Sequence, residues 1–274
     1  PMTYYGQLSF NEIKPGENFE LIDQSNYDKE YEKEFKKNRL INHVVLLKEL
    51  DSTKYAKDIL KHLATLNIEK GSEVLAAKLS TDVGRYDFAI QISKQASYEK
   101  RFYNKYNYPI IATPKQINNK IMPNSEVVLA IIRQESEFDA RANSWAGARG
   151  MMQLMKYTAK IVAKQAKLPY SISRLTRDPE YNIKLGSYYF NSLIEDYNGV
   201  YPFAIAAYNA GPNRVKTWRR VNGDPSKGKL SYVNWIELIR FKETRNYVQR
   251  VLENINVYKY MLSKKPVTID NFFN

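Results

Sequence analysis

The feature that most constrains the fold of this chain is the spacing of its apolar residues, which recur at helical intervals. One such stripe lies near the end of the chain, at Tyr247, Val251, Ile255, Tyr258 and Leu262, and it predicts a helical face directed at a core. No alternating apolar and polar pattern is long enough for a half-buried β-strand. With 43% apolar and 26% charged residues, the chain can bury a core, and the sequence predicts an all-α fold.

Helix signals and breakers divide the chain further. Residues 1–26 contain Pro15 and Gly16 and are predicted to be irregular. Short helices, which fit antiparallel helix pairs, are then predicted at Tyr27–Asn38, Ile41–Glu49, Lys54–Leu66, Ser72–Ser80 and Tyr86–Gln95.

A connector at residues 103–122 separates two predicted domains, residues 1–115 and 116–274. Pro109 and Pro114 prevent a continuous helix there. In the second domain, Asp178 followed by Pro179 is a helix start. Helices are predicted at Ser125–Glu135, from Asp178 to about Tyr197, at Pro202–Tyr208 and at about Thr244–Leu262.

Composition limits the possible chemistry. The chain has no cysteine and only two histidines, His43 and His62, which argues against metal sites and against a Ser-His triad. We therefore expect no metal and no cofactor. No apolar run approaches the roughly 18 residues of a membrane-spanning helix, so no membrane span is predicted.

Charge points to an anionic partner. The formal net charge is +13, and residues 121–274 hold 23 Lys and Arg against 13 Asp and Glu. Nucleic acid, an anionic membrane surface or an acidic polymer would each fit this balance. The sequence has no basic recognition helix or known nucleic-acid motif, so no specific nucleic-acid partner is predicted.

Glu135 is the candidate catalytic residue. It lies four residues past Ile131 and eight past Val127, so it extends the apolar stripe of its predicted helix. Loss of solvation and the helix C-terminal end should both raise its pKa. A carboxyl group that is protonated near neutral pH is what a glycosidase needs as general acid. The alternative is an ordinary solvated glutamate at a helix end.

Two further segments indicate a function only when they are considered together with Glu135. Residues 144–155 and 206–212 each fit, when taken alone, a tight loop or a helix stop. Together with Glu135, they belong to a series of motifs in a fixed order: Glu135–Phe138, Gly147–Met155, Asn182 and Ile183 with Gly186 and Tyr189, Ala207–Pro212, and Glu243–Val248.

Over about residues 120–265, this series resembles the catalytic domain of the soluble lytic murein transglycosylases, the slt-type group of the lysozyme-like superfamily. The preceding helices resemble the small helical linker domain of the large soluble members. The resemblance implies a lysozyme-like catalytic domain preceded by that linker. Two kinds of contact would fit the N-terminal helices. One is a docking partner, and the other is a long upstream domain of the kind found in those members.

The resemblance also implies residue roles. Glu135 takes the place of the single catalytic acid and base, and Tyr208 is expected near it. The saccharide groove is expected to be lined by Ser144, Gln153, Met155, Tyr208, Asn209 and Glu243. Lys156 and Arg240 depart from the family, which usually has proline at these positions; they change the charge beside the groove and leave the reaction class unchanged.

The implied enzyme is a lyase that cuts the β-1,4 bond between N-acetylmuramic acid and N-acetylglucosamine in peptidoglycan and forms 1,6-anhydro products. The alternatives are a hydrolase similar to the goose-type lysozymes and a non-catalytic murein-binding module. A periplasmic location is expected from the resemblance alone, because the residues that begin at Pro1 do not have the pattern of a signal peptide.

Overall fold

The computed structural model describes residues 2–17, 20–228, 230–265, 268, 269 and 273. Regular structure in these residues is almost entirely helical, which confirms the predicted all-α fold. No helix among them has both the length and the apolarity needed to cross a bilayer. The α-helices are α1 (Tyr4–Ile13), α2 (Lys29–Lys36), α3 (Arg39–Glu49), α4 (Lys57–Thr65), α5 (Ser72–Asp82), α6 (Tyr86–Tyr98), α7 (Asn104–Asn107), α8 (Ser125–Ser136), α9 (Lys156–Gln165), α10 (Arg174–Arg177), α11 (Pro179–Asp196), α12 (Tyr201–Ala210), α13 (Pro212–Asn222), α14 (Tyr232–Glu237) and α15 (Lys242–Ser263).

The connector contains a short β-hairpin that the sequence pattern did not predict. Strand β1 (Gln116–Ile117) pairs antiparallel with β2 (Lys120–Ile121). The two residues of the turn, Asn118 and Asn119, have φ angles of 46° and 63°. Asparagine tolerates this left-handed region better than most residues, so it suits a two-residue hairpin turn.

Contacts divide the chain into two units. Unit 1 comprises residues 1–19, 111–136 and 140–274, and unit 2 comprises residues 20–110 and 137–139. The predicted domains, residues 1–115 and 116–274, stay a prediction. Residues 1–26 were predicted to be irregular, which is wrong for Tyr4–Ile13, because these residues form α1. Residues 1–19 lie in unit 1.

The contacts of α1 explain this difference. The Tyr4 backbone N–H donates to Glu253 Oε2 at 2.6 Å, and Asn256 Nδ2 donates to Gln7 Oε1 at 2.9 Å. Tyr4 and Gln7 are both buried. Because their partners lie in α15, nearly the whole chain away, no local sequence pattern could have shown this pairing.

Unit 1 is built around α8. Residues Val127–Ile132 are all at most 1% exposed, and α8 packs along α15. Helix α12 also packs on α15, and its Phe203 ring lies 4.7 Å from that of Trp235 in α14. The central position of α8 fixes its C-terminal end, where Glu135 lies, against α15.

Unit 2 is a set of short helices in which α5 packs between α4 and α6. Its core includes Tyr31, Phe35, Leu63 and Val74. The five predicted helices are present with shifted bounds. For example, α2 begins at Lys29 because the Asp28 carboxylate accepts the backbone N–H groups of Glu30 and Tyr31.

Candidate active site

Helix α8 carries Glu135 at its next-to-last position. The side chain is half-buried, and its pKa is raised to about 7, chiefly because burial disfavours the charged form. The Tyr247 hydroxyl lowers that pKa by hydrogen bonding, and the negative charge of Glu243 raises it. Near neutral pH, this carboxyl group therefore populates both of its protonation states, which suits a group that acts as acid and then as base.

Tyr247 is the direct hydrogen-bond partner of Glu135. Its Oη donates to Glu135 Oε1 at 2.6 Å, and burial beside Glu135 raises the pKa of the tyrosine well above its usual value. The sequence pattern predicts Tyr247 in an apolar stripe and within the motif Glu243–Val248, but it does not predict this contact. The available signal was its position one helical turn after Glu243, within the same motif.

Tyr247→Phe is expected to move the alkaline limb of the activity profile to higher pH. The hydrogen bond stabilises the Glu135 carboxylate, so its loss raises the pKa of Glu135 above about 7. A hydrogen bond to a charged group contributes about 1.5 kcal/mol, so the limb should move by about one pH unit. The check is kcat/KM on soluble glycan strands between pH 5 and 9. A limb that moves to lower pH would contradict the assigned contact.

The loop at residues 142–155 is held by a buried asparagine of α11. Asn182 Oδ1 accepts from the Met152 N–H at 2.8 Å, and its Nδ2 donates to Arg149 O at 2.9 Å and Leu175 O at 3.0 Å. Three of the four hydrogen bonds that a side-chain amide can make are thus formed. Two of them order the backbone of this loop, and the third reaches Leu175 in α10. Asn182 was noted in the sequence as part of a motif, and the structure gives it this positioning contact.

The three predicted groove residues in this loop differ in what they contact. Ser144 Oγ accepts from the Ala148 N–H at 3.0 Å, and Gln153 Nε2 donates to Gly150 O at 2.8 Å. Both side chains therefore brace the loop itself. Met155 is 46% exposed and presents a free apolar surface.

Tyr208 and Asn209, at the end of α12, are held in place by hydrogen bonds within unit 1. Tyr208 Oη donates to Met152 O at 2.7 Å, and burial, reinforced by the charge of Glu135, raises the pKa of Tyr208 well above its usual value. Asn209 Oδ1 accepts from Thr244 Oγ1 at 2.7 Å. The structure thus places Tyr208 within electrostatic reach of Glu135, while Tyr247 makes the hydrogen bond.

Glu243 lies exposed in the first turn of α15, where the helix dipole favours a carboxylate. Its charge acts on Glu135. Among the described residues, no group of three or more His, Asp or Glu side chains is arranged to hold a metal ion. The site is a carboxyl group that accepts a hydrogen bond from Tyr247 and interacts electrostatically with Tyr208 and with the exposed Glu243.

Comparisons with known proteins show which family this chain resembles. Residues 113–231 match the family model described as the Transglycosylase SLT domain. The soluble lytic murein transglycosylase of Escherichia coli K12 is 37% identical over 169 residues, which cover 61% of this chain and 25% of that protein. The chain thus spans about a quarter of the length of this curated relative.

Solved structures show the same fold over nearly all of this chain. The 70 kDa soluble lytic transglycosylase from Escherichia coli gives a TM-score of 0.79 at 27% identity, covering 97% of this chain and 42% of that one. An inactive glutamate-to-glutamine mutant of the lytic transglycosylase Slt from Pseudomonas aeruginosa gives 0.76 at 28% identity, covering 98% and 42%. Residues 113–231 therefore match the transglycosylase SLT domain, and the predicted resemblance to the soluble lytic murein transglycosylases is confirmed.

Proposed function

We propose that this chain is a peptidoglycan lytic transglycosylase that cuts the β-1,4 bond between N-acetylmuramic acid and N-acetylglucosamine. The observation that carries the proposal is the half-buried Glu135 carboxyl group, with a pKa of about 7, inside a transglycosylase SLT domain. The inactive glutamate-to-glutamine mutant of the Pseudomonas relative fits a reaction that depends on a glutamate.

In the first step, protonated Glu135 gives its proton to the glycosidic oxygen as the bond from that oxygen to C1 breaks. The sugar develops oxocarbenium character, which its own N-acetyl group can stabilise. In the second step, the Glu135 carboxylate takes the proton of the C6 hydroxyl while O6 bonds to C1. The glutamate ends protonated as it began, and the product carries a 1,6-anhydro ring with no water consumed.

Tyr247 assists the second half of this cycle. Its hydroxyl donates to the carboxylate form of Glu135 and so stabilises the state that acts as base. Ser144, Gln153, Met155, Tyr208, Asn209 and Glu243 are proposed to line the saccharide groove, with Ser144 and Gln153 acting through the shape of their loop.

The anionic stem peptides of peptidoglycan suit the charge of the chain. Residues 121–274 have an excess of ten basic residues, which would speed encounter with an acidic polymer and lose effect as salt rises. This substrate places the proposed activity in the periplasm. The helical linker domain, predicted at residues 1–115, is proposed to be formed mainly by the helices of unit 2.

The test is digestion of purified peptidoglycan followed by mass spectrometry of the released muropeptides, with Glu135→Gln as control. We expect anhydro products, each about one water lighter than the hydrolysed form, from the wild type and almost none from the variant. Reducing-end products would instead make the protein a lysozyme-type hydrolase. Binding without release would make it a murein-binding module.

A further inference from the structure

The three residues that follow α8 reverse the chain in an unfavourable backbone conformation. Glu137 and Phe138 have φ angles of 52° and 69°, in the left-handed region that favours glycine. For a residue with a side chain this conformation costs about 1–2 kcal/mol, and here two occur in succession. Since Glu135 lies only two residues before Glu137, whatever stabilises this reversal also fixes where α8 ends.

Residues 137–139 belong to unit 2, and α6 supplies contacts to the first of them. Lys94 Nζ donates to Glu137 Oε1, and Gln91 Nε2 lies 3.5 Å from Glu137 Oε2. Lys94 and Glu137 form an ion pair whose side chains are 43% and 28% exposed. A pair at this degree of exposure contributes little to global stability, so its main effect is on the local conformation.

The other two residues are held from the start of α6. Phe138 is 1% exposed, and its ring lies 6.1 Å from that of Tyr86, a distance at which aromatic pairs attract. The Asp139 carboxylate interacts electrostatically with Arg85. One short stretch of unit 2, residues 85–94, thus contacts each residue of the reversal.

We propose that Lys94 and Tyr86 are positioning residues for catalysis, because they hold the reversal that sets the orientation of the Glu135 carboxyl group. Neither residue touches the substrate; each acts through the backbone of residues 136–138. The proposal rests on the proposed function, since orientation matters for turnover only if Glu135 is the acid and base. Under this proposal, two residues of unit 2 contribute to the reaction by positioning Glu135.

The test compares Lys94→Glu, Glu137→Lys and the double variant in the full chain. Each single change places like charges together, so we expect kcat to fall about tenfold with KM within about twofold. The double variant restores an opposite pair and should recover at least half of the wild-type kcat. Lys61→Glu is the matched control, since it makes the same charge change at an exposed site of unit 2 and should leave kcat unchanged.

Hydrogen exchange of the peptide spanning residues 135–139 gives a readout that does not depend on activity. We expect faster exchange in both single variants and near wild-type exchange in the double variant. Wild-type kcat in Lys94→Glu, or a kcat loss that the double variant does not recover, would overturn the positioning role. If the wild type releases no muropeptide, the proposed function fails and the positioning role falls with it, even where exchange responds to Lys94.

Discussion

Glu135→Gln is expected to lower the rate of anhydro-muropeptide release about 1000-fold, while affinity for glycan strands changes by less than about threefold. The amide keeps the shape of the side chain but can neither give nor take the required proton. General acid–base catalysis contributes about 10²–10⁴ to a rate, and here one group performs both steps. Turnover and pull-down on insoluble peptidoglycan provide the measurements.

Glu126→Gln is the matched control. It neutralises the other carboxylate of α8, in the first turn of the helix and far along it from Glu135, so release should continue at close to the wild-type rate. Wild-type release by Glu135→Gln would refute the acid–base assignment.

The same Glu135→Gln variant should also be more stable than the wild type at alkaline pH. The pKa of Glu135 is raised from 4.5 to about 7, so folding favours the protonated form, and stability is lost as pH rises between these values. Each tenfold change in proton affinity corresponds to about 1.4 kcal/mol, so the loss of unfolding free energy in the wild type reaches about 3 kcal/mol above pH 7. Denaturant unfolding at pH 8 should show most of this gain in the variant, and unfolding at pH 5 only a small part of it.

Gly150→Ala is expected to have the largest effect on folding, with a loss of more than about 3 kcal/mol in unfolding free energy. Gly150 has a φ of +74°, and a Cβ there would lie 2.0 Å from Leu175 O and 2.4 Å from Asn182 Nδ2. Neither atom can withdraw freely, because Asn182 donates to Leu175 O. The added methyl group must therefore break the hydrogen bonds that order the loop.

Gly147→Ala provides the control for backbone strain alone. Gly147 has a similar φ of +88°, but a Cβ there would meet nothing within 4 Å. The Gly147→Ala variant should lose about 1 kcal/mol of unfolding free energy, the usual cost of a left-handed residue with a side chain. Equal losses in the two variants, measured by urea unfolding, would show that the loop does not depend on the close approach at Gly150.

Local signals predicted the parts of the fold that depend on neighbouring residues. Asp178 does cap α11, accepting from the Tyr181 N–H at 3.0 Å, and the apolar stripe of α8 does place Glu135 on a partly buried side. One such signal was only half used. Helix α12 does end before Gly211 and Pro212, as predicted. Pro212 also occupies the first turn of α13, where proline is favoured within a helix, and no helix was predicted there.

Contacts between distant segments could not be predicted in the same way. The hydrogen bond from Tyr247 to Glu135 joins residues 112 positions apart, and it exists only because α8 and α15 pack together. Tyr208 shows a prediction of a different kind. The family resemblance implied that it lies near Glu135, and the charge of Glu135 does act on it. Its hydroxyl donates to a loop carbonyl, a contact that depends on the folded path of residues 142–155.

The pairing of α1 with α15 has a consequence for the order of events during synthesis. The bond from the Tyr4 N–H to Glu253 spans 249 residues, so α1 leaves the ribosome long before its partner exists. Apart from residues 137–139, unit 2 is one continuous segment of the chain, so it can fold before the partner of α1 has been synthesised. Because closing such a long loop comes late, docking of α1 is expected to be the last step of folding. A nascent chain that stops before Glu253 would leave α1 without its contacts to Glu253 and Asn256.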